Sequence, residues 1–474
     1  MRGLRRGRSG ARGPLMGNEF AHIALLAWPV VAIFVYLHND VLTATVFTLF
    51  GAYLLLPVGV AIDFPLVPPF NKESMGALSA LFGVAVIARQ KVRLMPPPGK
   101  VRLLFLVVLL TPLVTVSNNA EPVIMDGQFI PGLTLHDAFS AMVNQFLYLT
   151  PFLLGLMLVR GAQDQMQVLR LLVIAGLFYS LPALLEVRLS PQLHTWVYGF
   201  FPHEFGQQVR YGGYRPMVFL GHGLLVAIFY ALVAAAATVL WKTRTRALVL
   251  PAGITLAYLC CVLLVTKSLG AVTLGLLAVL LLSRESTRAA SLVGMGLSWI
   301  VLLYPLLSLF KLFPKQALAD WIIGTDASRG RSLLFRFDQE GLLLDRAREK
   351  FFFGWGGWGR NRLSDSVTDG NWIITLGQYG FVGFLALYSI MFLAVYRGHR
   401  AARLLPADSA QGWPMAGFVL LTGIIMIDQI PNASLASPQW FIIGGLLGAA
   451  SAVLAGEGGT PAAPVAVDAG QPRD

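Results

Sequence analysis

Apolar runs of about 20 residues, the length a helix needs to cross a bilayer, recur along this chain with short polar breaks between them. The runs are continuous rather than alternating, which selects helices over a β-barrel, because a helix satisfies its backbone polar groups within one segment. Candidate spans fall at 20–37, 41–62, 75–88, 102–117, 138–159, 169–187, 216–240, 248–265, 269–282, 289–310, 371–396, 413–430 and 438–455. Only 13% of the 474 residues are charged and 56% are hydrophobic, where soluble domains carry about 25% charge. The expected fold is an all-α integral membrane bundle of about 12–13 transmembrane helices. It divides into a basic tail over 1–19, spans over 20–310 with an outward loop at 188–215, a long loop over 311–370, further spans over 371–455 and a disordered tail rich in Gly, Pro and Ala over 456–474.

Loop charge sets the expected orientation. Arg89, Lys91, Arg93, Lys100 and Arg102 make one basic loop, followed by Arg160 and Arg170, by Lys242, Arg244 and Arg246, by Arg284 and Arg288, and by Arg397, Arg400 and Arg403. Every second loop is therefore basic, which places those loops in the cytoplasm and 118–137, 188–215, 266–268, 311–370 and 431–437 outside. The net charge of +12 is no sign of nucleic acid, since Arg2, Arg5, Arg6, Arg8 and Arg12 crowd the first residues and without them the balance is +7. Counting back through three spans puts that basic N-terminus outside, against the same rule. Either the first two runs are not both full spans, giving twelve, or the stretch ahead of Met16 is not native. No signal-peptide cleavage pattern follows the first run, and the adjacent Cys260 and Cys261 in an apolar run suit neither a disulfide nor a metal site.

Two outward loops break the charge rule. The 188–215 loop holds Arg188, His194, His203, Arg210 and Arg215, and the 311–370 loop holds Arg329, Arg331 and Arg336. Basic residues in outward loops suggest an anionic ligand at that face; the competing reading is that mixed charge, with Asp338, Glu340, Asp345 and Glu349 close by, keeps a long loop soluble. Arg215 and His222, seven apart, are expected on one helical face. Asn144, Gln145, Glu186, Lys267, Ser268 and Asp428 fall in the outer parts of their spans, where costly polar groups face a cavity or pair with one another. From Leu333 to Phe353 the pattern suits an amphipathic helix along the membrane surface, ending at Gly354–Gly359, the GWGGWG stretch, expected as a membrane-anchoring turn.

These residues carry a resemblance. RSLLFR, then FFGWGGWG, then Asp369-Gly370-Asn371-Trp372 running into LGQYGFVGF resembles the signature region of the O-antigen ligase and polymerase superfamily. That region has an SLxxR stretch, a GxG turn, and H-N-x-x-L followed by E-x-G-x-x-G, with Gly380 and Gly383 fitting the closing glycines. Asp369 stands where the family has His, and Gln378 where it has Glu. RYGGYRP (Arg210–Pro216) resembles the family's R-x-x-G loop, and TKSLGA (Thr266–Ala271) resembles T-x-S-R-G-A, with Leu269 at the Arg position and Lys267 two residues earlier.

The resemblance implies a multi-pass, metal-independent glycosyltransferase of the type-C class in the bacterial inner membrane, needing no cofactor. Such a protein takes a glycan from a polyprenyl diphosphate carrier and joins it to the hydroxyl of a glycan or lipid acceptor at the periplasmic face. Membrane lipid surrounds it, and nucleic acid is not a partner. Arg210, Arg215, Arg329, Arg331, Arg336 and Lys267 are the candidates to hold the diphosphate, with Asp369 as base and His222 as the alternative base. A lipid-linked-sugar flippase and a non-catalytic envelope-assembly subunit are the competing functions.

Overall fold

The computed structural model describes residues 17–63, 68–125, 127–210, 212–363, 366 and 369–456, with the side chains of Ser328 and Arg329 outside the described set. The basic residues ahead of Met16 and nearly all of the C-terminal tail therefore lie outside the described residues. The helices in chain order are α1 (Glu19–His38), α2 (Val41–Leu55), α3 (Lys72–Phe82), α4 (Lys100–Ser117), α5 (Leu135–Leu158), α6 (Ala162–Leu189), α7 (Leu193–Tyr198), α8 (Gly223–Lys242), α9 (Ala252–Val265), α10 (Leu269–Arg284), α11 (Thr287–Leu309), α12 (Lys315–Thr325), α13 (Ala327–Glu349), α14 (Asn371–Leu404), α15 (Gly412–Asp428) and α16 (Ser437–Leu454). Two short hairpins, Val123–Met125 with Gln128–Ile130 and Val209–Arg210 with Gly213–Tyr214, a π-helical turn over Gly83–Ile87 and a 3-10 turn over Phe205–Gln208 complete the described elements.

Among the described residues, α1, α4, α5, α6, α8, α11, α14 and α16 are long and apolar enough to cross a membrane, and α2, α9, α10 and α15 are shorter apolar helices. The chain is thus an all-α, multi-pass membrane protein at this level of description. Its centre is α8, whose Ala234–Ala237 run is wholly buried. Small residues let neighbouring backbones approach closely. The same device joins α5 to α16, where a Cβ on Gly444 would stand 2.0 Å from the Phe152 carbonyl oxygen.

Contacts between the connections sort them to the two ends of the bundle. At one end Gln167 donates to Asp40 at 3.0 Å, Arg170 Nε donates to the Ala247 carbonyl at 3.1 Å, and Lys242 lies over the Trp413 ring. At the other end the Asn18 amide donates to the Val197 carbonyl, the Tyr198 hydroxyl donates to the Leu55 carbonyl, and the Val58 N–H donates to His194. The chain therefore starts α1 beside the 188–215 loop and starts α2 at the end where the basic connections gather. Both of the first two runs traverse the bundle, and the alternation counted from the basic loops extends back to Asn18.

The 311–370 region is not a structureless loop, because it folds as α12 and α13 followed by turns. On α13, Leu343, Leu344 and Ala347 are buried while Arg331, Arg336, Asp338, Asp345 and Glu349 are exposed together with Phe335 and Leu342, so a helix lies where one was expected but runs from Ala327 to Glu349 and leaves two large apolar side chains uncovered. The GWGGWG stretch departs from the expected interfacial anchor. Trp355 is buried, its Nε1 donating to the Arg346 carbonyl at 2.7 Å with the Arg346 guanidinium 3.3 Å from its ring centroid, and only Trp358 is exposed.

That stretch docks on a break in α14. Gly380 has φ 67° inside the helix, a left-handed conformation glycine adopts without steric cost. The peptide groups that lose helical partners there are taken up by the incoming chain: the Phe381 and Val382 N–H groups donate to the Phe351 and Phe352 carbonyls at 2.7 and 3.1 Å, and the Trp355 and Gly356 N–H groups donate to the Gly377 and Gln378 carbonyls, both at 2.9 Å. A Cβ at Gly380 would fall 2.3 Å from the Phe352 and Phe353 backbone. We predict that Gly380→Ala destabilises the protein by at least about 1–3 kcal/mol, read as a lower thermal midpoint in detergent. Gly341→Ala, at a helix position with nothing within 4 Å, should be neutral or slightly stabilising.

Candidate functional site

The 188–222 connection is held by a buried carboxylate. Glu186, near the end of α6, accepts from the Leu193, Met217 and Val218 N–H groups at 2.9, 2.7 and 2.7 Å. It pairs with backbone rather than with a neighbouring arginine. Asp428 is likewise structural, closing the turn after α15 on Asn432 and Ser434. Taking the N–H groups of residues 217 and 218 keeps 216–222 out of helix, so α8 begins only at Gly223. Arg215 and His222 consequently do not share a helical face, contrary to the spacing argument, and are brought together by a folded loop instead.

In that loop Gln208 is fully buried, its carbonyl accepting from Arg215 N–H at 2.8 Å and its Oε1 from Gly223 N–H at 3.2 Å. Arg215 is itself buried and donates through Nη2 to Ser268 Oγ at 3.3 Å. Lys267 Nζ lies over Gly213 of the hairpin, 2.2 Å from where a Cβ there would stand. His222 caps α8, its Nδ1 accepting from Leu224 N–H at 3.0 Å, with the His203 ring 4.7 Å away. An Nδ1 that accepts leaves the proton on Nε2, which points to Gln207 Oε1 at 3.4 Å; in this tautomer the exposed nitrogen is a donor, not a base. Arg210, Arg215 and Lys267 therefore form one cationic rim around the neutral His222, Arg210 being its exposed cation.

A cavity of about 580 Å³ brings Arg336 and Asp369 together, while Arg210, Arg215, His222 and Lys267 are not among its lining residues. Its wall includes Leu269, Gly270 and Thr273 of α10, Arg336, Gln339 and Glu340 of α13, and Asp369, Gly370 and Trp372 at the start of α14. Arg336 Nε and Asp369 Oδ2 are 3.6 Å apart, both side chains about 40% exposed (42% and 43%). Glu340 is committed to Tyr304, Ser308 and Lys315. Asp369 does not cap α14: the N-cap position is Gly370, with no side-chain capping bond. Lys267 and Ser268 immediately precede Leu269 and Gly270, so one turn carries the edge of the rim onto the cavity wall. Arg331 is exposed on α13, and the Arg329 side chain lies outside the described residues.

Several residues were not singled out by sequence reasoning. Arg360 is 1% exposed and donates through Nη1 and Nη2 to the Pro131 and Glu121 carbonyls at 2.8 and 2.9 Å, while its own carbonyl accepts from Arg346. These two arginines are architectural, a role that charge counting does not separate from anion binding. Glu73, which accepts from the Ser437 hydroxyl at 2.7 Å, and Trp358 line a second cavity on the other side of α14. No protein-family model and no curated protein matches the chain.

Burial, then the charges of His203, Arg215 and Arg210, push the His222 imidazole down to about 4. We predict that its ring, followed by nitrogen-15 NMR, stays neutral with the proton on Nε2 from pH 8 to 5.5; a midpoint near the ordinary value of about 6.5 would contradict the geometry. The unfolded chain takes up a proton below about 6.5 and the folded one only near 4, so this group makes stability fall as pH drops between those values.

Proposed function

We propose that the protein is an integral membrane glycosyltransferase that transfers a glycan from a polyprenyl diphosphate to an acceptor hydroxyl, at the outward face of a bacterial inner membrane. The observation that carries this reading is the cationic rim joined through the Lys267–Gly270 turn to a cavity holding an Arg336–Asp369 pair. Support also comes from the ordered motif resemblance, which covers the residues that build both parts.

In this reading the diphosphate sits against Arg210, Arg215 and Lys267, with the His222 Nε2–H as a further donor. The acceptor oxygen attacks the anomeric carbon, the bond from that carbon to the phosphate oxygen breaks, and the diphosphate leaves with the electron pair. Charge gathers on the leaving group as this happens, and preorganised donors stabilise it more in the transition state than in the bound donor. The acceptor's proton passes to the Asp369 carboxylate, which Arg336 orients. His222 is assigned to donation because its only other ring nitrogen is committed to the helix cap.

Reconstituted with a lipid-linked donor and its acceptor, Asp369→Asn is expected to slow transfer by about 10²–10⁴-fold while donor affinity changes little. Retention of full rate would remove Asp369 from the mechanism. Arg215→Lys keeps the charge but loses the planar fork, and is expected to slow transfer about 100-fold at unchanged protein level. A rate equal to wild type would show that bulk positive charge alone suffices there.

A further inference from the structure

The first half of α14 is a partition. Gly370, Trp372 and Ile373 face the cavity of the Arg336–Asp369 pair, whereas Asn371, Thr375, Gln378 and Tyr379 face a separate cavity of about 660 Å³. The two differ in chemistry. The described residues lining the larger one include no Arg, Lys or His; its polar groups include the amides Asn144, Gln145, Asn371 and Gln378, the hydroxyls Ser140 and Thr375, and Glu73, and its aromatic groups are Tyr148, Trp358 and Tyr379. Gln145 is only 9% exposed, and its Oε1 makes no hydrogen bond within the protein. The same amide interacts with the Tyr379 hydroxyl, which ties two polar groups of this wall together.

We infer that this cavity is a subsite for an uncharged glycosyl unit, the acceptor side of the transfer proposed above, and the inference rests on that reading for the direction of transfer only. Each amide presents both donors and an acceptor, the complement of a sugar hydroxyl, which is donor and acceptor at once. Aromatic rings with a polar tip suit the apolar faces of a pyranose, and Trp358 is 56% exposed at the site. The absence of cations among the lining residues disfavours a phosphate there, in contrast to the rim. The cavities also meet at one point: Asp369 and Asn371 are two residues apart, at most about 7 Å between Cα atoms. A sugar seated on Asn371 and Gln378 thus presents a hydroxyl at the edge of the partition where the proposed base stands.

The test is saturation-transfer NMR on the full chain in nanodiscs, with maltotriose, N,N′-diacetylchitobiose and xylotriose as uncharged probes and farnesyl diphosphate as the charged one. At least one sugar is expected to receive saturation from wild type. Its affinity should fall about 5-fold or more in Gln145→Leu, by the loss of one hydrogen bond, and in Trp358→Ala, by the loss of a ring against the sugar face, with farnesyl diphosphate binding retained by both variants. Signals unchanged in both variants, or none from any of the three sugars, overturn the inference. Sugar binding that survives in a protein to which farnesyl diphosphate does not bind supports the glycosyl subsite and overturns the donor assignment instead.

Discussion

A backbone polar group left without a partner in apolar surroundings costs several kcal/mol, and the break in α14 at Gly380 meets this constraint by borrowing another segment. The carbonyls of Phe351 and Phe352 replace the partners that Phe381 and Val382 lose, and the N–H groups of Trp355 and Gly356 occupy the carbonyls that the break exposes. The arrangement of the 350–382 region follows from this exchange. It fixes α13 over the helices, turns Trp355 inward onto Arg346, and sets the first half of α14 as a wall with one cavity on each face.

A second device performs the same service for the other loop. Glu186 satisfies three N–H groups of the 188–222 connection and thereby delays the start of α8 until His222. The delay brings Arg215 against Ser268, and the Lys267–Gly270 turn links that cation to the cavity beside α13. The two loops are far apart in sequence and share no secondary structure. The 188–222 connection is joined to that turn by the buried Arg215–Ser268 hydrogen bond.

The helices were legible in the sequence because their apolar runs are long and their basic loops alternate; every proposed span contains a helix, and among the described residues eight of these helices are long and apolar enough to cross a membrane. The identity of the polar residues as ligands or braces was less legible. Glu186, Asp428, Arg346 and Arg360 have the composition of a functional site, yet Glu186, Arg346 and Arg360 bond backbone groups of other segments and Asp428 is taken up by the Asn432 and Ser434 side chains of the turn that follows it. Arg215 and His222 show the limit of spacing arguments, since seven residues imply a shared face only if the intervening chain is helical. The π-helical end after α3, Gly83–Ile87, and the docking of GWGGWG on α14 have no one-dimensional signature. Gly380 was visible as a motif position, but its reason, an approach of Phe352 and Phe353 too close for any Cβ, exists only in three dimensions.

The central claim is that the cationic rim and its neighbouring cavity receive a lipid diphosphate. A short-chain polyprenyl diphosphate carrying a photoreactive group next to the diphosphate, cross-linked to the reconstituted protein and mapped by mass spectrometry, tests it most directly. The account predicts adducts within residues 207–223, 266–273 and 331–340, reduced by unlabelled competitor and by replacing Arg215. Adducts confined to the opposite end of the bundle, near the basic connections 89–102 and 242–246, would contradict it.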